Sequence, residues 1–262
     1  MKGDLDWWRL AASLLLVAVA VAFSAVQRLR LEGSMVWASA RALVQLLLVG
    51  VGLELVIAPG RPLLLAWCWA VAMLVYAAVI VQRRSGSVPG VFVVALTAFG
   101  AAAVVSLGVL FGLRIFPLQG RTLVPLTGMM VGNAMTATVL VTRRVVGEFR
   151  DKKDEIEARL ALGQPAPVAA RPYLREAVRT ALIPQIESTR TVGLIFLPGA
   201  MTGLILAGTA PLQATMVQAA IMYLVLGSVA TSTAVVALGV RRRLFTPDHR
   251  LVLPEKVAGK RG

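Results

Sequence analysis

Charged residues are scarce in this chain: they make up 15% of its 262 residues, whereas 58% are hydrophobic. A soluble domain usually carries roughly 25% charged residues. The chain has one cysteine, Cys68, and one histidine, His249, which excludes a disulfide framework and argues against a Cys/His zinc site. It also lacks a Walker A motif, an HExxH motif and a Ser–His–Asp set. The sequence therefore predicts no enzyme activity and no cofactor bound by this chain.

What the sequence has in abundance is apolar runs of membrane-spanning length. A spanning helix needs roughly 17–25 residues, and the short alternating segments of a β-barrel are absent. We therefore expect an all-α integral membrane protein, a single polytopic domain over residues 1–262 with about seven transmembrane helices. The predicted spans are residues 10–26, 35–58, 63–81, 91–113, 123–142, 191–209 and 212–240.

Basic residues are distributed unevenly between the predicted loops. The net charge of +14 could indicate nucleic-acid binding, but cytoplasmic loops of membrane proteins carry an excess of Lys and Arg. With residues 143–190 in the cytoplasm, 21 of the 27 Lys and Arg fall in cytoplasmic segments and five outside. This predicts an N-out, C-in, multi-pass protein of the inner (plasma) membrane. Its surroundings would be membrane lipid, with no nucleic-acid partner.

The longest polar interruption, residues 143–190, is predicted to form a cytoplasmic two-helix segment. Its first helix is expected from about Gly147 to Leu162 with a stop at Gly163, and its second is expected to begin near Val168. The second helix is predicted to be amphipathic. Such a helix either lies on anionic headgroups or docks a cytoplasmic protein. Its apolar and basic positions, each four residues apart, are Leu174, Val178 and Leu182, and Arg171, Arg175 and Arg179.

Among the polar residues inside the predicted spans, three are candidates for a transport site. Arg41 and Gln45 share one face of span two, and Asn133 lies in span five. An ionisable residue in a span usually faces inward, although Arg41 is close enough to the cytoplasmic end to snorkel to the headgroups. We expect the three to line an internal polar site on the transport pathway or at a dimer interface.

Pairs of glycines occur in predicted spans four, five and six, and methionines accompany them in spans five and six. Glycines four apart let helices approach closely. The methionines either fill gaps between helices or offer a thioether path to a soft metal. The glycine pairs are Gly108/Gly112, Gly128/Gly132 and Gly199/Gly203, and the methionines are Met129, Met130, Met135 and Met201.

The sixth predicted span contains Pro198 followed by Gly199. A proline inside a helix removes one backbone hydrogen bond, and glycine adds conformational freedom. Transporters place substrate sites at such helix breaks. The break either lines the pathway or is a kink that aids packing.

Four motifs in order resemble one known family, the FetB-type permeases. They are GMMVGNAM (128–135), EARLALG (157–163), REAVRTALIP (175–184) and TVGLIFLPGAMTGLILAG (191–208). Members of this family are membrane subunits of bacterial ABC transporters proposed to export iron, and plant relatives act in aluminium tolerance. Arg41 with Gln45 also resembles the second span of the family.

The resemblance implies a permease subunit that exports iron or another metal ion. It would work as a homodimer with a separate cytoplasmic ATPase that holds ATP and Mg²⁺. The alternative is an ATP-independent secondary transporter or channel for a metal or a small organic solute. The residues expected to couple to the ATPase are Glu157, Leu160, Gly163, Arg171, Leu174, Arg175, Val178 and Arg179.

Overall fold

The computed structural model describes residues 7–58, 60–85 and 88–254. Within these residues the fold is helical, and the only extended pairings are isolated bridges. The predicted all-α class is therefore confirmed. The helices are α1 (Trp7–Val26), α2 (Glu32–Ile57), α3 (Leu63–Arg84), α4 (Val91–Gly112), α5 (Gly120–Asp151), α6 (Lys153–Ala161), α7 (Ala166–Ala169), α8 (Arg171–Thr191), α9 (Gly199–Leu206) and α10 (Pro211–Leu244).

Five of the described helices, α2, α3, α4, α5 and α10, are long and apolar enough to cross a membrane. Helix α1 adds a shorter apolar segment over residues 11–26. Because about 20 apolar residues span the hydrocarbon core, these helices mark an integral membrane protein, as the sequence predicts. The N-out orientation and the exact number of spans stay predictions.

The sixth predicted span, residues 191–209, is not a continuous helix. Helix α8 ends at Thr191, and the next helix, α9, has only eight residues. Between them, Gly193 has a φ of +82°, which favours glycine. Pro198 is extended (φ −62°, ψ 149°) and precedes the first residue of α9. Pro198 therefore begins a helix instead of interrupting one, and the interruption covers residues 192–198.

The first predicted helix of the polar segment also has different bounds. Gly147 lies inside α5, which continues to Asp151, and a new helix begins at Lys153. The continuation has a packing cause, because Val145 and Phe149 are fully buried at these turns of α5. The polar segment thus consists of the end of α5 followed by α6, α7 and α8, instead of two helices.

By its internal contacts the chain divides into two compact units, one ending at residue 61 and the other beginning at residue 62. In the first unit α1 packs against α2. The buried Ser24 hydroxyl donates to Glu32 Oε1 at 2.9 Å and accepts from the Leu31 amide at 3.4 Å, which secures the turn between the two helices. None of the side chains described in α2 is buried.

The second unit is built around four helices that contact one another in the order α3, α4, α10, α5 and back to α3. Helix α8 packs against both α5 and α10. Small and β-branched residues dominate the interior, and such residues let membrane helices approach closely. Fully buried examples are Ala95, Ala98, Ala102, Val81, Val141 and Val240.

Helices α4 and α10 approach each other closely at Gly239. A Cβ atom added at Gly239 would lie 2.4 Å from Cγ1 and 3.2 Å from Cγ2 of Val94. Any larger residue at this position would force Val94 or the backbone beside it to shift. Gly239 therefore permits the close contact of α10 with Val94 of α4.

Arginines from three helices gather at one end of the second unit. The Arg143 guanidinium donates from Nε (3.2 Å) and Nη2 (2.7 Å) to the carbonyl of Arg84, the last residue of α3. Nearby, the rings of Phe149 and Phe245 meet edge to face at 5.9 Å. We call this region the basic end; it comprises Arg83, Arg84, Arg143, Arg144, Arg150, Arg241, Arg242 and Arg243.

Candidate functional site

Helix α8 has the amphipathic character that its sequence predicts. Leu174 is buried, as are Tyr173, Ala177 and Ala181, because this face packs on α5 and α10. The opposite face is polar. It exposes the three arginines of the predicted basic stripe, Arg171, Arg175 and Arg179.

A large cavity lies between α8 and the last turns of α10. It has a volume of about 1050 Å³. We call it the α8–α10 groove. Its apolar lining includes Leu174, Val178, Leu182, Ile183, Ile186 and Leu238, and its arginines are Arg171, Arg175, Arg179, Arg190 and Arg241.

The charge of this groove is strongly positive. Glu187 is its one lining carboxylate, and it pairs with Arg190 at 2.8 Å. Both partners of that pair are more than half exposed, so the pair contributes little to stability. The remaining four arginines leave an apolar groove bordered by positive charge.

Five of the eight predicted coupling residues come together in this groove: Arg171, Leu174, Arg175, Val178 and Arg179. The other three, which lie in α6 and its C-terminal turn, do not line it. Glu157 is exposed and pairs with Lys153 at 3.6 Å, and Leu160 is half-buried. Gly163 has a φ of +84° and ends α6 as predicted.

A polar contact missed by sequence reasoning connects α6 to α8. Tyr173 donates to Glu155 Oε2 at 2.9 Å, and Lys152 Nζ donates to Oε1 at 2.6 Å. The Lys152 and Tyr173 hydrogen bonds lower the pKa of Glu155. Burial, followed by the bond to Glu155, raises the pKa of Tyr173. The Arg159 guanidinium lies 5.9 Å from the centre of the Tyr173 ring. No sequence motif signals this pairing.

The predicted pathway residues lie in different surroundings. Arg41 and Gln45 are exposed on α2 in the first unit. Asn133 is exposed on α5 in the second unit, where its Nδ2 donates to Met129 O one turn away at 2.8 Å. The structure thus describes each residue in its own unit, and their shared polar site stays a prediction.

The four methionines do not form one exposed row. Met130 is fully buried in α5, whereas Met129, Met135 and Met201 are half-buried. No group of three His, Cys, Asp or Glu side chains that could hold a metal ion occurs among the described residues. A soft-metal path along the methionines stays a prediction.

Most of the glycines predicted to pack against other helices have no other described helix close to them. Gly128 faces the Met73 methyl group at 3.7 Å. The remaining glycines of the three pairs have no atom within 4 Å of an added Cβ. Within the chain, therefore, Gly128 contacts a neighbouring helix. The other five glycines lie on helix faces that no other part of the described chain covers. They are Gly108, Gly112, Gly132, Gly199 and Gly203.

The helical bundle, its apolar spans and its basic end define an integral, multi-pass membrane protein. Residues 7–245 match the model of a family described as "Uncharacterised protein family (UPF0014)". The chain belongs to this family, and the resemblance seen in the four sequence motifs is confirmed.

Relatives come from plants and bacteria. The rice "UPF0014 membrane protein STAR2" is 38% identical over 224 residues, covering 85% of this chain and 78% of the relative. The Escherichia coli K12 "Probable iron export permease protein FetB" is 31% identical over 249 residues, covering 94% and 95%. The Arabidopsis thaliana "Protein ALUMINUM SENSITIVE 3" is 34% identical over 226 residues, covering 85% and 81%. No solved structure was found to match this chain.

Proposed function

We propose that this chain is the membrane-spanning permease subunit of an ABC transporter and that a separate ATPase docks on α6 and α8. The observation that carries the proposal is the α8–α10 groove, where five predicted coupling residues meet. ATP and Mg²⁺ would be bound by the partner. The E. coli relative is named as a probable iron export permease. On this basis we propose that this chain also exports iron or another metal ion.

The burial of the apolar face of α8 favours a protein partner over a lipid surface. A helix that lies on a membrane buries its apolar face among the lipids. In α8 the apolar face, which includes Leu174 and Ala177, is already buried against the protein. What remains accessible is a concave apolar groove with an arginine border. Protein interfaces combine an apolar centre with a polar rim, and complementary charge selects the partner.

The partner surface expected from this groove is an apolar projection flanked by Asp and Glu. Apolar side chains would contact Val178, Leu182 and Leu238, and the carboxylates would pair with Arg175 and Arg179. Arginine suits this task because its planar guanidinium binds a carboxylate through two hydrogen bonds.

The same proposal assigns the transport pathway to the polar residues of the spans. Arg41, Gln45 and Asn133 would line it, in the inner (plasma) membrane with the N-terminus outside. Ionisable groups inside spans often mark substrate pathways. On this basis Arg41→Ala reduces transport per folded molecule, and unchanged transport would leave Arg41 a headgroup anchor.

A homodimer is part of the proposal, because one chain supplies one membrane half. The accessible faces around Gly132 on α5 and around Gly199 and Gly203 on α9 support it. Small-residue faces are suited to close helix contact between two copies.

The docking proposal is tested by reversing charge in the groove. We expect Arg175→Glu with Arg179→Glu to abolish copurification of a co-expressed lone ABC ATPase from the same genome and to remove ATPase stimulation. The matched control is Arg83→Glu with Arg144→Glu, two exposed arginines at the basic end that do not line the groove. Size-exclusion profiles establish that both variants fold.

Two results would contradict the proposal. Equal copurification in the groove and control variants would remove the groove from the interface. Metal transport by proteoliposomes that contain this chain without any ATPase would support the secondary transporter or channel instead.

A further inference from the structure

We propose that a second, smaller cavity at the basic end binds a phosphate group. The cavity has a volume of about 210 Å³ and lies between the ends of α3 and α5. It is separate from the α8–α10 groove, because the two share no lining residue. We call it the Arg84–Arg150 cavity; its polar lining residues are Arg84, Ser85, Thr142, Arg143 and Arg150.

The positive charge of this cavity is not balanced by the described part of the chain. Three arginines line it, and no carboxylate does. The ion pairs found among the described residues involve Lys152, Lys153 and Arg190, so Arg84, Arg143 and Arg150 have no carboxylate partner there. Three arginines around one cavity without a counter-charge give it a positive potential. A positive potential of this kind favours a bound anion.

Two of the arginines are held in place by backbone carbonyls. Arg143 donates from Nε and Nη2 to Arg84 O, and Arg150 donates from Nη2 to Pro254 O at 2.9 Å. A guanidinium has five N–H donors, so further donors remain on both groups after these bonds. Side chains held in one orientation bind a ligand with a smaller loss of conformational entropy.

A buried hydroxyl provides the independent evidence for a ligand. Ser85 is 5% exposed, and its Oγ is buried without a hydrogen-bond partner among the described residues. Leaving a polar group buried and unpaired is costly, and unpaired groups usually indicate a missing partner. Thr142 differs, because its hydroxyl already donates to Thr138 O at 2.7 Å. Ser85 thus places a buried, unpaired hydroxyl in the wall of a cavity lined by three arginines.

These donors suit an anion with several oxygen acceptors arranged around one centre. A phosphate group meets that requirement, and arginine binds phosphate through paired N–H donors. A water molecule occupies about 30 Å³ in the liquid, so a cavity of about 210 Å³ has room for a phosphate and part of its hydration. The phosphate could belong to an anionic phospholipid headgroup or to a soluble phosphate. The apolar run of α3 ends at this level, where headgroups lie.

The test measures phosphate binding and lipid binding separately. In the first arm, purified, delipidated protein in a neutral detergent is titrated with inorganic phosphate, and binding is followed by equilibrium dialysis. In the second arm, native mass spectrometry compares retention of phosphatidylglycerol with retention of phosphatidylcholine. We expect saturable binding in at least one arm, and that arm identifies the source of the phosphate.

Variants then assign the binding to this cavity. Arg84→Gln and Arg150→Gln should each weaken it about tenfold, the effect of losing one charge-assisted hydrogen bond. The control Arg144→Gln, an exposed arginine outside the cavity, should change it less than about twofold. Ser85→Ala should weaken binding while leaving the unliganded protein as stable as before or more so, since it removes an unpaired buried hydroxyl.

Three results would overturn the proposal. The first is no saturable binding in either arm. The second is equal loss in Arg84→Gln and Arg144→Gln, which would indicate general surface charge. The third is unchanged binding in Ser85→Ala together with Arg84→Gln.

Discussion

The hydroxyl of Tyr173 donates a 2.9 Å hydrogen bond to the carboxylate of Glu155 and so connects α8 to α6. Lys152 donates to the other oxygen of the same carboxylate. Two partners on two segments thus hold one acidic side chain. The contact fixes the turn after α5 relative to the helix that lines the α8–α10 groove.

Replacing Tyr173 by phenylalanine should loosen α6 without unfolding the bundle. The variant retains the ring that lies beside Arg159 but loses the bond to Glu155. Hydrogen exchange of the α6 amides should become faster, while exchange in the core of α5 stays unchanged. The control is Tyr223→Phe, an exposed tyrosine on α10. Equal acceleration of α6 in both variants would remove the bond from this role.

The same contact should weaken in acid. The Lys152 and Tyr173 hydrogen bonds lower the pKa of Glu155 in the folded protein. A lowered folded pKa means that the stabilisation is fully present above the ordinary glutamate pKa of about 4.3 and is lost as the pH falls through the lowered value. Protection of α6, corrected for intrinsic exchange, should therefore decrease below about pH 4.3. Glu155→Gln should lack this decrease, and a decrease of the same size in that variant would contradict the assignment.

The α4–α10 crossing should not tolerate a side chain at position 239. An alanine Cβ there would lie 2.4 Å from Val94 Cγ1, and overpacking of this kind costs about 1–3 kcal/mol. Gly239→Ala should lower the thermal midpoint in detergent, and Val94→Ala in the same chain should restore much of it. Purely additive effects of the two substitutions would show that the residues are not in contact.

The parts of the fold predicted from sequence are those that follow from local pattern. Apolar run length gives the positions of α2, α3, α4, α5 and α10. The four-residue spacing of Leu174 and Val178 predicts that α8 is amphipathic, although only Leu174 of this predicted ridge is buried. A glycine at the end of an apolar pattern gives the stop at Gly163. Each signal lies within one segment, so it does not depend on the rest of the chain.

The parts that sequence missed depend on contacts between segments. Hydropathy does not distinguish the interrupted region around Pro198 from a continuous span, because apolar residues occupy both. The sequence predicts that a helix begins at about Gly147, whereas α5 continues past this residue because the side chain of Phe149 is buried. Arg241 joins the α8–α10 groove only because α8 crosses α10 there. Packing brings Tyr173 close to Glu155 and places Ser85 and Arg150 around one cavity. No sequence motif contains both members of either pair.

Removing Pro198 should not produce a continuous sixth helix. Residues 192–198 are all outside helices, and Gly193 has a φ of +82°. Restoring an amide donor at one position leaves that left-handed residue in place. Pro198→Ala should therefore keep its helix content by circular dichroism, and amides 193–197 should exchange at the rates of the unsubstituted protein. New protection across these amides would mean that the proline alone interrupts the helix.

The exposed face of α5 should contact a second copy of this chain. Gly132, Asn133 and Thr136 are exposed on a spanning helix. Asn133 uses one N–H for Met129 O and has no other hydrogen bond among the described residues. In hydrocarbon its remaining polar atoms require a partner, which a symmetric copy of the same face would supply. The glycine beside it permits close approach.

Cysteine cross-linking checks this interface directly. The background is Cys68→Ser, because Cys68 is the chain's one cysteine and is exposed. Oxidation should link Thr136→Cys chains as dimers, since a disulfide requires Cα atoms within about 7 Å. Val104→Cys, at a 76% exposed position on α4, is the control for random collision. Gly132→Leu should suppress the Thr136→Cys link by separating the helices. If Val104→Cys links as well as Thr136→Cys, this face of α5 contacts lipid, and the dimer forms elsewhere.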